Sequence, residues 1–239
     1  MAYQSVFKRY EMKYLLTAEQ KQIILTAMEP YMTPDQYSRT TIRNLYFDTD
    51  NYRLIRNSIS RPTYKEKLRL RSYTQAAPDS AVFVELKKKY RSVVYKRRVS
   101  MPEQDAMAWL SKEQACPEQS QISAEIDYVL DFYETLRPAV FLSYEREAFY
   151  SADGAGFRVT FDDTILCRQN DLSLCAESYG TPILPEGLVL MEIKCAGGIP
   201  LWMTRTLTEN HIYKTSFSKY GTAYKTLIHP KRPEVSHHV

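Results

Sequence analysis

Residues 63 to 73, TYKEKLRLRSY, constrain the fold more than any other stretch. Drawn out as a strand, they put Lys65, Lys67, Arg69 and Arg71 on one face and Leu68 and Leu70 on the other. Neighbouring cations on such a ladder stand about 6.7 Å apart, and each adjacent pair repels by roughly 2.5 kcal/mol at an effective dielectric of about 20, or roughly a quarter of that in open water. A chain that keeps this ladder needs either an open, solvated sheet face or an enclosed face that meets a polyanion or buried carboxylates.

The same alternation recurs along the chain. SVFKRYEMKYLL sets Arg9, Glu11 and Lys13 against Tyr10, Met12 and Tyr14, and SAVFVELKKKY sets Phe83, Glu85, Lys87 and Lys89 against Val82, Val84, Leu86 and Lys88. If the register slips by one residue, Lys88 or Lys89 would serve in place of Lys87 in this second run. SVVYKRRVS, a candidate hairpin partner, carries Lys96 and Arg98 opposite Arg97. Further on, Arg146 shares a face with Val140, Leu142, Tyr144 and Ala148, Arg158 with Thr160 and Asp162, and Glu192 with Lys194. An ordinary half-exposed sheet shows water a thin polar face of Thr and Ser, whereas here charges come from many strands.

Between these strands the sequence marks helices. Thr17 and Gln20 form a capping-box signature for a helix ending near Pro30, after which a polar loop leads to the strand TTIRNLYFDTD. Ser100 with Glu103, and Pro102 in the first turn, mark a helix through Trp109 and Leu110. Ser123 caps another, whose apolar face is Ile126, Val129, Leu130, Tyr133 and Leu136. Pro200 opens a helix with Trp202 and Leu207, and Phe217, Tyr220, Tyr224 and Leu227 have helical spacing. The expected class is α+β, with about eight strands and four or five helices; if those strands close into a barrel, the charges line its bore and the helices pack on the outside. One domain is expected over residues 1–228, with a disordered tail over 229–239.

Composition removes several chemistries. Only His211 lies in the body of the chain, the other histidines being His229, His237 and His238, which argues against a histidine triad or a His-ligated zinc. Seven Gly against nineteen Tyr favours strands over glycine-rich phosphate loops, and neither a P-loop nor a dinucleotide fingerprint is present. The four Cys have no CxxC spacing and no leader or long apolar run is visible, so a reduced, cytoplasmic protein is expected, with room for a membrane-bound partner. With a net charge of only +4, any basic character must come from local clustering. An interior ladder is too narrow for a nucleic-acid duplex, and no aromatic-basic RNA motif occurs.

Taken in order, E-x-K at Glu11 and Lys13, N-x-Y-F-D at Asn44 to Asp48, K-x-R-x-R at Lys67, Arg69 and Arg71, and V-E-L-K at Val84 to Lys87 form a series. It continues with Y-E-R at Tyr144 to Arg146, F-R-V-x-x-D at Phe157 to Asp162, M-E-I-K at Met191 to Lys194 and S-K-Y at Ser218 to Tyr220. This series resembles the VTC domain, the polyphosphate polymerase domain of the vacuolar transporter chaperone complex and its bacterial relatives, itself similar to the CYTH-like triphosphate tunnel metalloenzymes. The resemblance covers about residues 5 to 225. It implies an antiparallel β-barrel tunnel with helices packed on the outside, binding a triphosphate or polyphosphate through inward cations, and transfer of the γ-phosphoryl group of ATP onto a growing polyphosphate chain. Lys13, Arg69, Arg71, Lys87, Arg146, Arg158 and Lys219 would then hold phosphate, and Glu192 would hold Mn²⁺ or Mg²⁺.

Lys65, Lys67, Lys194 and Lys214 are secondary substrate contacts on this reading, and Glu11 and Glu85 further metal candidates. Two departures stand out: Arg9 replaces the first glutamate of the E-x-E-x-K of triphosphatases, and Ser216 replaces a second terminal lysine, leaving Lys214 as the nearest substitute. A metal-dependent triphosphatase or short-chain polyphosphatase is the alternative if Glu11, Glu85 and Glu192 form a two-metal site, and a non-catalytic polyphosphate sensor is the third reading.

Overall fold

The alternation of charged and apolar residues is realised as one large, wholly antiparallel sheet. The computed structural model describes residues 10–229 except 92 and 155. Arg9, and the expected tail beyond His229, lie outside the described residues. The strands are β1 (Tyr10–Thr17), β2 (Met32–Asp48), β3 (Tyr64–Ser72), β4 (Ala81–Tyr90), β5 (Val93–Pro102), β6 (Arg137–Ser151), β7 (Arg158–Arg168), β8 (Thr181–Pro182), β9 (Leu188–Cys195) and β10 (Lys214–Thr215). They run in the order β10-β1-β9-β7-β6-β2-β3-β4-β5, with β8 added to β7. Among the described residues no pairing joins β5 to β10. A Lys87 Nζ to Glu11 Oε2 contact of 3.9 Å nevertheless links β4 to β1, so the ends of the sheet curl toward each other around a lumen.

Helices α1 (Ala18–Met28) and α5 (Leu201–Glu209) cover the convex side of β1, β7 and β9, where Tyr14, Leu16, Phe161, Met191 and Ile193 are buried. Helices α3 (Glu103–Leu110) and α4 (Gln121–Tyr133) cover β3 to β5 through Leu68, Leu70, Val84, Leu86 and Trp109. Burial of these apolar faces is the main driving force that keeps the sheet curled with its charged face inward. No helix of the described residues is long and apolar enough to cross a membrane.

Several local expectations change. The polar stretch before TTIRNLYFDTD is strand, not loop: β2 is one 17-residue strand whose first part pairs with β6 across a register break between Pro34 and Arg39. Partner pairing overrides the weak β propensity of its polar residues. The Thr17–Gln20 capping box forms as expected. The α3 cap does not, because Ser100 is consumed in the β5 ladder opposite Phe83 and Pro102 takes the N-cap. In α4 the cap is Ser120, and Ser123 closes the box from the third helical position.

A third apolar cluster lies on the concave side and fills part of the lumen. Helix α2 (Arg53–Ile59), α6 (Lys219–Ala223) and the π-helical turn Tyr224–Ile228 bring Ile55, Tyr220, Ala223 and Tyr224 against Ile42, Tyr46, Val140, Leu142 and Leu190. Asp48, fully buried, ties this floor together: it accepts from the Leu54 and Ile55 amides at 2.9 and 3.0 Å and from the Tyr220 hydroxyl at 2.9 Å. The expectation of an apolar outside and a charged bore therefore holds for only part of the concave face.

Candidate active site

The ladder of β3 points inward. Register places Arg69 beside Tyr46 and Glu85, and Arg71 beside Asn44 and Phe83. Arg69 Nε donates to Glu85 Oε2 at 2.8 Å and its Nη1 to the Tyr46 hydroxyl at 3.0 Å. Arg71 Nε donates to Asn44 Oδ1 at 2.9 Å and its Nη2 to the Tyr144 hydroxyl at 3.3 Å. From β5, Lys96 Nζ lies 2.7 Å from Glu85 Oε1, and Arg98 pairs with the same oxygen while donating to the Tyr73 hydroxyl at 3.1 Å. Burial alone raises the Glu85 carboxyl, but Arg69, Arg71, Lys96 and Arg98 hold it well below the usual carboxylate range.

Across the lumen, Glu192, Asp162 and Glu11 form a second cluster. The Arg146 guanidinium clasps Asp162 with both nitrogens, at 2.6 and 2.7 Å, a bidentate pair that fixes the fork. Lys219, carried in by α6, bonds Asp162 and lies 3.5 Å from Glu192 Oε1. Lys13 lies 3.1 Å from Glu192 and 3.5 Å from Glu11, and donates to the Phe217 carbonyl at 2.9 Å. Lys194 lies 3.6 Å from Glu192 Oε2. Burial raises Glu192 and Asp162, yet the surrounding lysines and Arg146 hold both below their ordinary values. Beside them Arg158 stacks on Tyr150 at 4.7 Å, and its Nε, like Thr160 Oγ1, is buried with no hydrogen-bond partner among the described residues. Both orphans lie in strand register with the cluster, Thr160 opposite Glu192 and Arg158 opposite Lys194.

The remaining lysines sit differently. Lys65 faces Lys89 and Lys67 faces Lys87 across β3 and β4, and Lys87 faces Lys96 across β4 and β5. Burial, together with repulsion from Lys87, Lys13 and Lys65, brings the Lys67 amine down to about 8 despite the attraction of Tyr46. Burial would raise the Tyr46 phenol, but Arg69, Lys67 and Arg71 lower it to about 8. Lys88, by contrast, points to the convex side and pairs with Glu125 at 3.1 Å, which settles the one-residue ambiguity in favour of Lys87 and Lys89 as the inward pair.

The described residues thus gather Lys13, Lys65, Lys67, Arg69, Arg71, Lys87, Arg146, Arg158, Lys194, Lys219, Glu11, Glu85 and Glu192 on one concave wall. Lys214 is the exception: it pairs with Tyr14, not Lys13, and so sits in register with a convex-face residue at the exposed sheet edge. Asp162, Lys96 and Arg98 were not singled out from the sequence. Asp162 shares a strand face with Arg158, and that is the signal that would have found it, whereas Lys96 and Arg98 share a face on β5 and meet Lys87 and Glu85 only across the β4–β5 pairing. Tyr144 shares a face with Arg146, and Tyr73 continues that of Arg69 and Arg71, but which arginine each tyrosine meets is set by pairing between strands.

The fit for a metal is limited. Glu85 has both oxygens taken by cations, so it does not join Glu11 and Glu192 as a two-metal set. Among the described residues no group of three or more His, Cys, Asp or Glu could hold an ion. Glu192 with Glu11 offers hard oxygen donors of the kind Mg²⁺ and Mn²⁺ accept when phosphate oxygens and water complete the shell. The residues fit an ion that arrives with its phosphates, not a resident one.

Comparison with known proteins follows this geometry. The fold is shared with a candidate adenylate cyclase from Bacillus halodurans (TM-score 0.53, 16% identity, covering 90% of this chain and 96% of that one). It is also shared with a candidate adenylyl cyclase from Hippeastrum whose dominant activity is that of a triphosphatase (TM-score 0.51, 18% identity, 90% and 94% covered). No curated protein sequence matches the chain. The VTC domain family model matches residues 8–228. The chain belongs to the VTC domain family, and its curled antiparallel sheet is the fold of the CYTH-like triphosphate tunnel proteins.

Proposed function

We propose that the lumen transfers the γ-phosphoryl group of ATP to the end of a polyphosphate chain. The observation that carries this reading is a concave wall where cations outnumber carboxylates and every carboxylate is neutralised. Glu11, Glu85, Asp162 and Glu192 all lie below their ordinary values, so none is a base poised near neutral pH. Hydrolysis needs a water to be deprotonated, whereas a terminal phosphate oxygen is already anionic and attacks without a base. An oxygen of the chain end attacks the γ-phosphorus, the bond to the β–γ bridging oxygen breaks, and ADP leaves with that electron pair, so no proton need move.

The protein's part is alignment and charge neutralisation, which phosphoryl transfer chiefly requires. Arg69 and Arg71, oriented by Glu85, Asn44, Tyr46 and Tyr144, clamp bridging and non-bridging oxygens. Arg146, Arg158, Lys13 and Lys219 gather around the reacting phosphoryl group, with the Arg158 and Thr160 orphans supplying further donors. Glu192 and Glu11 would hold Mn²⁺ or Mg²⁺, which supplies charge neutralisation to phosphate oxygens when bound. ATP and polyphosphate are thus the partners; a membrane protein that docks the domain at the cytoplasmic side is compatible with the same reading.

The test is incubation with ATP and Mn²⁺, with products resolved on a polyacrylamide gel. A phosphate ladder with matching ADP is expected. Orthophosphate without a ladder would overturn transfer and favour the triphosphatase reading, to which the activity of the Hippeastrum protein lends support.

A further inference from the structure

Strand β5 ends the sheet, so one of its two edges has no strand beside it among the described residues. An unpaired edge is a row of open amide and carbonyl groups, which native proteins cover, charge or use. Along β5 the residue types change. Val93, Val94 and Tyr95 are strong strand formers, and Lys96, Arg97 and Arg98 follow them. The cationic run keeps a second copy of the chain away, because antiparallel pairing of β5 with itself about Arg97 sets Lys96 opposite Arg98, like against like. It does not repel an acidic strand.

Both faces of the sheet reach this edge with their pattern unfinished. On the convex side, register aligns Tyr64, Tyr90 and Val93 across β3, β4 and β5, and these side chains are 41%, 46% and 39% exposed. The Arg91 guanidinium lies over the Tyr90 ring, 5.4 Å from its centroid, and meets no carboxylate among the described residues. On the concave side the row Arg69, Glu85, Arg98 stops at the same edge. Among the described residues Glu85 is the one carboxylate in contact with Arg69, Arg71, Lys96 and Arg98, so four cations share a single negative charge.

From these two rows we propose that the open edge of β5 takes an acidic polypeptide segment as an added strand, with carboxylates on its concave side and aromatic or β-branched residues on its convex side. Such a strand hydrogen-bonds main chain to main chain, lengthens the Tyr64, Tyr90, Val93 row by one residue, and sets carboxylates beside Lys96 and Arg98. Alternation with period two presents both sets at once. An anionic lipid surface or a single-stranded nucleic acid supplies negative charge, but neither carries the regular amides and carbonyls that complete a strand edge. The inference does not depend on what the lumen does with phosphate.

The probe is a synthetic, end-blocked, fluorescently labelled peptide of ten residues in which glutamate and valine alternate, titrated with the full chain and read by anisotropy. It should bind about tenfold tighter than a peptide of the same composition in which the two residues come in pairs, because several cross-strand contacts are lost together. Equal affinities overturn the inference. Two further peptides carry N-methyl groups on every glutamate or on every valine. An added strand donates from one set alone, so one of them should lose binding and the other keep it; equal behaviour of the two overturns strand addition. Displacement of the probe by tripolyphosphate at constant ionic strength puts it among the lumen cations and also overturns the inference. Tyr90→Ser with Val93→Ser should weaken the alternating peptide about fivefold without moving the melting temperature, and Arg91→Glu should do the same from an exposed turn. Unchanged affinity in both variants removes the site. Sedimentation with phosphatidylserine vesicles, or capture of polyuridylate, lost in those variants while the peptide fails to bind, assigns the surface to lipid or nucleic acid instead.

Discussion

Glu85 and Glu192 are both sunk among cations on the same concave wall, yet their surroundings differ. Glu85 is alone with Arg69, Arg71, Lys96 and Arg98, and three of these are arginines with further nitrogens turned to phenols or amides. Glu192 has Asp162 and Glu11 nearby and is surrounded mainly by lysines, with Arg146 the sole arginine in contact with it. One carboxylate among forks makes a rigid anion clamp. Several carboxylates among flexible amines make a region that can exchange lysine partners for a metal ion. On the proposed function, this difference divides the labour: β3 to β5 grip the chain, and β1, β6, β7, β9 and α6 handle the reacting group.

The strongest way to break that comparison is to remove one carboxylate from each side. Glu192→Gln should lower metal-dependent turnover by about a thousandfold while polyphosphate still binds, which steady-state rates alongside calorimetry will show. Arg69→Ala with Arg71→Ala should instead abolish product together with polyphosphate binding and leave the fold intact by circular dichroism. Full activity in that double variant would remove the clamp from the site. Glu85→Gln should destabilise the ligand-free protein by about 3–5 kcal/mol, because it leaves buried cations unpaired. Added tripolyphosphate should restore most of the lost melting temperature. Failure of that rescue would make Glu85 a structural ion pair and nothing more.

The smallest expected effect is one of pH. Lys67 titrates near 8 in the fold against an ordinary 10.5, and Tyr46 near 8 against 10.0. In both cases the unfolded chain binds more protons between the two values, so stability rises with pH across that window, by on the order of 2 kcal/mol for each group taken alone from pH 8 to 10. Melting curves of the ligand-free protein should show this, and Lys67→Gln should flatten it. Bound polyphosphate should also flatten it, since it favours charged Lys67 and neutral Tyr46.

Much of this wall was legible because strand periodicity is local. Lys65 to Arg71, Glu85 to Lys89 and Glu192 with Lys194 announce their shared faces within a few residues, and pairing only had to bring the faces together. What was not legible depends on partners far away in the chain. Nothing local to Asp162 says that Arg146 and Lys219 converge on it, and although β5 was visible as a hairpin partner, the register that brings Lys96 and Arg98 to Glu85 was not. The polar first half of β2 read as a loop because its strand character comes from β6, more than a hundred positions later. Lys214 read as a phosphate contact because position relative to Lys219 was the only guide, whereas the edge pairing with Tyr14 decides its face.

The floor built by residues 217 to 220 bears on how the molecule assembles. Lys13 reaches the Phe217 carbonyl across 204 positions, Asp48 meets Tyr220 across 172 and Lys67 meets Ser218 across 151. Contacts of such separation are slow to form because loop closure must precede them. During synthesis the first strands emerge long before the segment that carries Lys219, so the cation-lined wall spends that interval without its floor. Until that floor arrives the inward cations are open, and on the proposed function condensed phosphate nearby can act on folding before it acts as substrate.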